Sequence, residues 1–169
     1  MTRDLLLGSL LAASLLQIAP EALALDHSIK VARLTSDSTS RRGGSGGGAY
    51  NLSCPSGQVL IGITGGAAGY VDRVQGICRD IDASGNWTAT ETLTGTAGGP
   101  SGFPYTRRCS TNFALSGFSG RAGWYIERLV LECARLAPGG TLSATTARTT
   151  LGAIGGTGGT AFSMTSCST

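Results

Sequence analysis

The chain holds a single histidine, His27, among 169 residues. A histidine-based triad or zinc site therefore has almost no material. Long apolar runs are missing beyond the first two dozen residues, so no later segment is expected to cross a membrane. A sustained 3.6-residue apolar period is also missing there, which argues against amphipathic helices. Basic residues form only two adjacent pairs, Arg41-Arg42 and Arg107-Arg108, and no basic stripe interleaved with aromatics. No nucleic-acid surface is expected from that pattern. Asp72, Asp80 and Asp82 lie close in sequence but lack the spacing of an EF-type calcium loop. Glycine is abundant, at 27 residues, yet shows no three-residue period, which excludes collagen.

What is present begins with the first 24 residues. Arg3 precedes Leu5–Ala19, an apolar run broken only by Ser9, Ser14, Gln17 and small residues. Ala22-Leu23-Ala24 then gives a small-x-small cleavage pattern. Residues 1–24 read as a signal peptide, with an uncleaved N-terminal anchor as the alternative. The product is expected to be secreted, periplasmic or at the cell surface. Losing Arg3, Asp4 and Glu21 changes the formal charge from +3 to +4, with 12 basic and 8 acidic residues left.

After the leader, short β-branched runs alternate with glycine-rich turns, the pattern of an all-β chain. The five cysteines of an exported chain imply disulfides, and an odd count leaves one over. An internal repeat suggests which. "CPSGQVLIGITGGAAGYVDRVQGIC" (Cys54–Cys78) aligns without a gap on "CSTNFALSGFSGRAGWYIERLVLEC" (Cys109–Cys133), each 25 residues long. Tyr70 meets Tyr125, Asp72 meets Glu127 and Arg73 meets Arg128. Upstream, "GGSGGGAY" (Gly43–Tyr50) lies over "GGPSGFPY" (Gly98–Tyr105), and "GGTGGTAF" (Gly155–Phe162) opens a third copy. The organisation read from this is an N-terminal strand and linker at 25–42, repeat 1 at 43–97, repeat 2 at 98–154 and a partial repeat 3 at 155–169. Residues 25–42 would contribute to the third repeat. The counterpart of Val59–Cys78 is absent from it, by truncation or by degeneration.

Each full unit reads as four strands: Ala49–Cys54 or Pro104–Cys109, Val59–Thr64 or Ala114–Ser119, Val71–Arg79 or Ile126–Ala134, and Trp87–Thr94 or Leu142–Thr150. Alternation in the third strand puts Leu129, Leu131 and Cys133 on a core face. With the first and third strands flanking the second, Cys54–Cys78 and Cys109–Cys133 are the natural pairs. Cys167 is then the free thiol.

Three glycine-opened, four-stranded units with "GG…GG-x-x-F/Y" openings and a later "GWYIE" resemble the jacalin-related lectins. The resemblance covers about Ile29 to Cys167. It implies a β-prism I fold of three four-stranded antiparallel sheets, the third incomplete here. It also implies sugar binding where a glycine loop meets a G-x-x-x-D loop. On that basis Gly123 stands for the glycine and Glu127 for the acid, with Trp124 and Tyr125 between them. The facing loop is Gly155, Gly156, Gly158 and Gly159. A second candidate joins Gly69, Tyr70 and Asp72 to Gly98 and Gly99, with Ala68 in place of the motif's glycine. Glu127 replaces the usual Asp. The cysteine pairs suggest a disulfide-bearing secreted branch.

The chemistry is plausible from residue types alone. A carboxylate accepts sugar hydroxyls through charge-assisted hydrogen bonds, glycines let backbone amides approach, and Trp124 or Tyr125 can cover a ring face. The expected function is a metal-independent, non-catalytic carbohydrate-binding domain without a cofactor. Its partners would be carbohydrates or glycoconjugates, not nucleic acid, and a homo-oligomer would multiply weak sites. The alternative is a disulfide-stabilised structural or adhesion module. In that case Asp72 and Glu127 pair with the adjacent arginines, and Trp124 and Tyr125 cover a sheet end. "GGSGG" (Gly43–Gly47) fits G-x-S-x-G only formally, without the strand and helix of a nucleophile elbow.

The leader reading makes one direct prediction. N-terminal sequencing of exported protein should begin at Leu25, whereas soluble cytosolic protein retaining Met1 would reject it.

Overall fold

The computed structural model describes residues 27–32, 42–44, 46–88, 90–143, 145 and 148–166. The expected leader, residues 1–24, and the expected free thiol, Cys167, lie outside these residues. The described chain is all-β apart from one short 3-10 turn, Pro138–Gly140. Its strands are β1 (His27–Ala32), β2 (Gly48–Ser53), β3 (Gln58–Ala67), β4 (Val71–Asp80), β5 (Thr92–Leu93), β6 (Ala97–Gly98) and β7 (Phe103–Arg108). They continue as β8 (Phe113–Ala122), β9 (Ile126–Arg135), β10 (Thr149–Thr150), β11 (Ile154–Gly155) and β12 (Thr160–Ser166).

Two antiparallel sheets repeat one plan. In the first, β3 and β4 form a hairpin, the β5–β6 segment runs along the outer edge of β4, and β7 returns to the free edge of β3. The second sheet does the same with β8, β9, β10–β11 and β12. This is a Greek key: three strands in sequence, then a fourth that crosses back beside the first. A separate pair, β1 with β2, is parallel, unlike the antiparallel third sheet expected; the opening strand of the third copy, β12, joins the second sheet instead.

The expected strand neighbours need correction. The opening strand of a sequence unit does not flank the second strand of that unit. Instead β7 pairs with β3 of the preceding unit and β12 pairs with β8. Neighbours in sequence usually pair. Here the outer edge of β4 is already taken by β5–β6, and the crossing loop delivers β7 to the open edge of β3. The fourth strand is also not continuous. Trp87 and Leu142 make isolated bridges to Ile81 and Leu136, and only two-residue strands follow. Part of the first interruption is a side-chain substitution: the Thr94 hydroxyl accepts the Gly76 amide at 2.8 Å.

The expected disulfides form, Cys54–Cys78 and Cys109–Cys133, with Cα separations of 5.6 and 5.7 Å. Because the strands are exchanged, each bridge ties two sheets together. Cys54 follows β2 and Cys78 lies in β4; Cys109 follows β7 and Cys133 lies in β9. Closing loops of this length contributes about 3 kcal/mol by the chain-entropy argument.

The repeat is visible in the irregularities as well as in the strands. Bulges fall between Leu60 and Gly62 and between Gly66 and Ala67 in one hairpin, and at the aligned Leu115/Gly117 and Arg121/Ala122 in the other. The turn into each hairpin needs a left-handed residue, supplied by Gly57 at φ 86° and by Asn112 at φ 63°; asparagine is among the few non-glycine residues that adopt it readily. Leu129, Leu131 and Cys133 are buried as alternation predicts. They join Leu60, Ile61, Ile63, Ile77, Leu115 and Phe118 in one core. Phe118 packs edge-on against Phe162, whose strand is brought to it by the crossing connection.

Candidate functional site at the hairpin tips

Both stretches singled out in the sequence are hairpin tips. Residues 68–70 join β3 to β4, closed by the Ala68 amide on the Tyr70 carbonyl at 2.9 Å. Residues 123–125 join β8 to β9, closed by the Gly123 amide on the Tyr125 carbonyl at 3.0 Å. The two tips touch. Tyr70 and Tyr125 meet edge to face, with centroids 5.5 Å apart and planes at 72°. Trp124 is 72% exposed, and Tyr70 and Tyr125 are about half exposed. Trp124 therefore does not cover a sheet end.

Asp72 and Glu127 are the second residues of β4 and β9. Neither forms an ion pair among the described residues, whose salt bridges are Arg79 and Arg108 to Glu91 and Arg148 to Glu132. Strand geometry explains why the adjacent arginines are not partners: successive side chains point to opposite faces. Each acid instead turns inward beneath the loop that crosses the hairpin tip. The Gly99 amide bonds the Asp72 carbonyl at 2.9 Å, and the Gly156 amide bonds the Glu127 carbonyl at 2.7 Å. Asp72 Oδ2 and Glu127 Oε2 are both shut off from solvent without a hydrogen-bond partner. Burying such a group unpaired costs free energy.

The glycines around these oxygens have steric reasons. Gly102 and Gly159 occupy matching places at φ 83° and 69°. A Cβ there would stand 2.6 Å from Asp72 Oδ2 and 2.5 Å from Glu127 Oε2. At Gly123 the conflict is with Glu127 Oε1, at 2.9 Å. Gly123 has no left-handed φ, so Ala68 sacrifices no backbone conformation by replacing glycine. The pairs Ala68 with Asp72 and Gly123 with Glu127 match a larger tip residue to the shorter acid.

The two halves differ in how tightly the crossing loop is held. Arg121 donates from Nε to the Gly158 carbonyl at 2.8 Å and from Nη2 to the Gly159 carbonyl at 2.7 Å. Arg128 adds a longer contact to the Gly156 carbonyl. Gly66 stands at the position of Arg121 in the first unit, so the loop over Asp72 lacks that clamp. Beside Asp72 a cleft of about 200 Å³ opens, lined by Tyr70, Val71, Asp72, Gly99, Ser101 and Tyr125. Glu127 is the more enclosed acid, at 7% exposure. Below the first site, Tyr105 donates its hydroxyl to the Arg73 carbonyl at 2.9 Å, and burial pushes its pKa above the ordinary tyrosine value.

The residues expected to form two sites thus share one end of the molecule. Gly69, Tyr70, Asp72, Gly98 and Gly99 are joined to Gly123, Trp124, Tyr125, Glu127 and Gly155–Gly159 through the two tyrosines. Gly156 also lies against the Gly69 carbonyl, linking the second crossing loop to the first tip. Sequence reasoning missed Ser101, Val71 and Phe103, which is 78% exposed. It also missed that the first glycine loop lies on the second tip, where the Gly46 amide bonds the Trp124 carbonyl at 2.7 Å. Gly102 was findable, since the repeat aligns it with Gly159. Asp82 is used at its own turn: it accepts the Ser84 and Asn86 amides, and the Asn86 hydrogen bonds hold its pKa below the ordinary carboxylate value.

No family model, curated protein or solved structure matches the chain. Two disulfides suit an oxidising, extracellular setting, and no helix among the described residues is long and apolar enough to cross a membrane.

The unpartnered carboxylates predict an unusual stability result. Glu127→Met removes the unpartnered buried acceptor at similar volume. It should raise the unfolding free energy by about 1–3 kcal/mol, seen as a Tm a few degrees higher in a thermal melt. A fall in Tm would show that the carboxylate supports the fold.

Proposed function

We propose that the chain is a secreted carbohydrate-binding module of the β-prism I kind, which binds its ligand at the hairpin tips without metal and without transforming it. The observation that carries this reading is the repeated placement of an acid under a glycine-rich crossing loop, with one carboxylate oxygen enclosed and unpartnered each time. A scaffold gains nothing from keeping such a group twice. Asp72 also borders the open cleft, and there, rather than at the enclosed oxygen, a sugar hydroxyl can donate to its carboxylate, a hydrogen bond stronger than one to a neutral acceptor. Tyr70, Trp124 and Tyr125 supply exposed ring surface for the apolar face of a pyranose. The two Greek-key sheets and the three glycine loops support the prism; the parallel β1–β2 pair departs from its antiparallel plan. Binding at an open tip buries few groups, so single-site affinity falls in the millimolar to micromolar range, and useful strength needs several sites.

The exposed Phe103 and Trp124 favour the second reading, a disulfide-stabilised adhesion module that uses these aromatics against another surface. Glycan-array screening followed by calorimetric titration separates the two. Asp72→Asn and Glu127→Gln, each verified as folded, should weaken glycan binding by about 1.5–3 kcal/mol if the carboxylate accepts hydroxyls. Unchanged affinity in both variants, or no glycan bound at all, would favour adhesion.

A further inference from the structure

The cleft beside Asp72 has a larger neighbour. A second cavity of about 450 Å³ lies between β2 and the β6 segment, bordered by Gly48, Tyr50, Thr96 and Gly99. Gly99 borders both cavities. A side chain at Gly99 would meet nothing within 4 Å, so the junction is open on the side where a ligand would pass. The smaller cleft alone falls below the range of about 300–1,000 Å³ typical of small-molecule sites, while the larger cavity lies within it.

The chemistry along this path is graded. At one end are the Asp72 carboxylate and the exposed tyrosine pair. Glycine backbone forms the middle, where main-chain groups are approachable. At the other end Tyr50 gives its hydroxyl to the Gly95 carbonyl. Its donor is thereby occupied, and the ring is left as the contact it can offer.

From this the geometry points to one continuous groove for a linear oligosaccharide. One sugar residue sits at the Asp72 cleft and the following residues run past Gly99 towards Tyr50. This rests on the carbohydrate reading above and adds to it a ligand class: chains of at least three residues, in preference to single sugars. The groove belongs to the first unit, because it uses β2 as a wall.

The test is a titration of the full mature chain with gluco-, manno-, galacto- and N-acetylglucosamine oligomers of increasing length, from the monosaccharide to the tetramer. For the sugar that binds, affinity should rise at least tenfold from monosaccharide to trisaccharide. Thr96→Trp places bulk in the larger cavity from an exposed position and should bring that ratio close to one. Its Tm and circular dichroism report whether it is folded, and Gly99→Leu, built into open space, repeats the blockade from the junction. A wild-type ratio near one, or a ratio unchanged in both variants, would overturn the groove and leave the tip site standing. Failure of every oligomer to bind would overturn both.

Discussion

The crossing of a glycine-rich loop over a hairpin tip is the constraint on which the other features depend. Each Greek key must carry its fourth strand from the outer edge of the second strand to the free edge of the first. The route passes the tip, where Gly102 and Gly159 fit against buried carboxylate oxygens and where any larger residue would collide. The same crossing places the following cysteine on a different sheet from its partner. The disulfides therefore hold sheets together. Loop, acid and bridge are consequences of one piece of topology.

That topology leaves a stability cost uncompensated within the chain. Among the described residues the enclosed Asp72 and Glu127 oxygens have no partner, although arginines are nearby in sequence. Arg121 is committed to the Gly158 and Gly159 carbonyls, and strand alternation turns Arg73 and Arg128 away. The fold carries this cost twice, at equivalent positions. The two copies are not identical in this respect. The second loop is clamped by Arg121, while the first, with Gly66 there, borders the more open cleft.

Much of this was legible in the sequence, and for a physical reason: duplication copies local geometry. The 25-residue match foretold paired hairpins and the cysteine spacing, and it brought tip, acid and glycine loop into one neighbourhood. Alternation in Ile126–Arg135 gave the core face correctly. What was not legible is non-local. Nothing in Pro104–Cys109 says which edge it joins, so the exchange of β7 onto β3 was missed. The short β6 and β11 carry no alternating pattern. The Tyr70–Tyr125 contact joins two sheets whose relative placement comes from the core, which is why two separate sites were expected where one end of the molecule gathers both. The enclosure of one oxygen of each acid depends on side-chain depth, which residue type alone does not set.

Reception of ligand at the tip end is the proposal on which the functional reading turns. It is checked by nuclear magnetic resonance of the nitrogen-15-labelled chain, residues 25–169, titrated with the strongest glycan from an array. Shifts should concentrate in the amides of residues 69–73, 98, 99, 101, 102 and 123–127. Amides near the Cys54–Cys78 and Cys109–Cys133 bridges should stay still. Shifts centred on the bridges, or spread without a maximum at the tips, would contradict it.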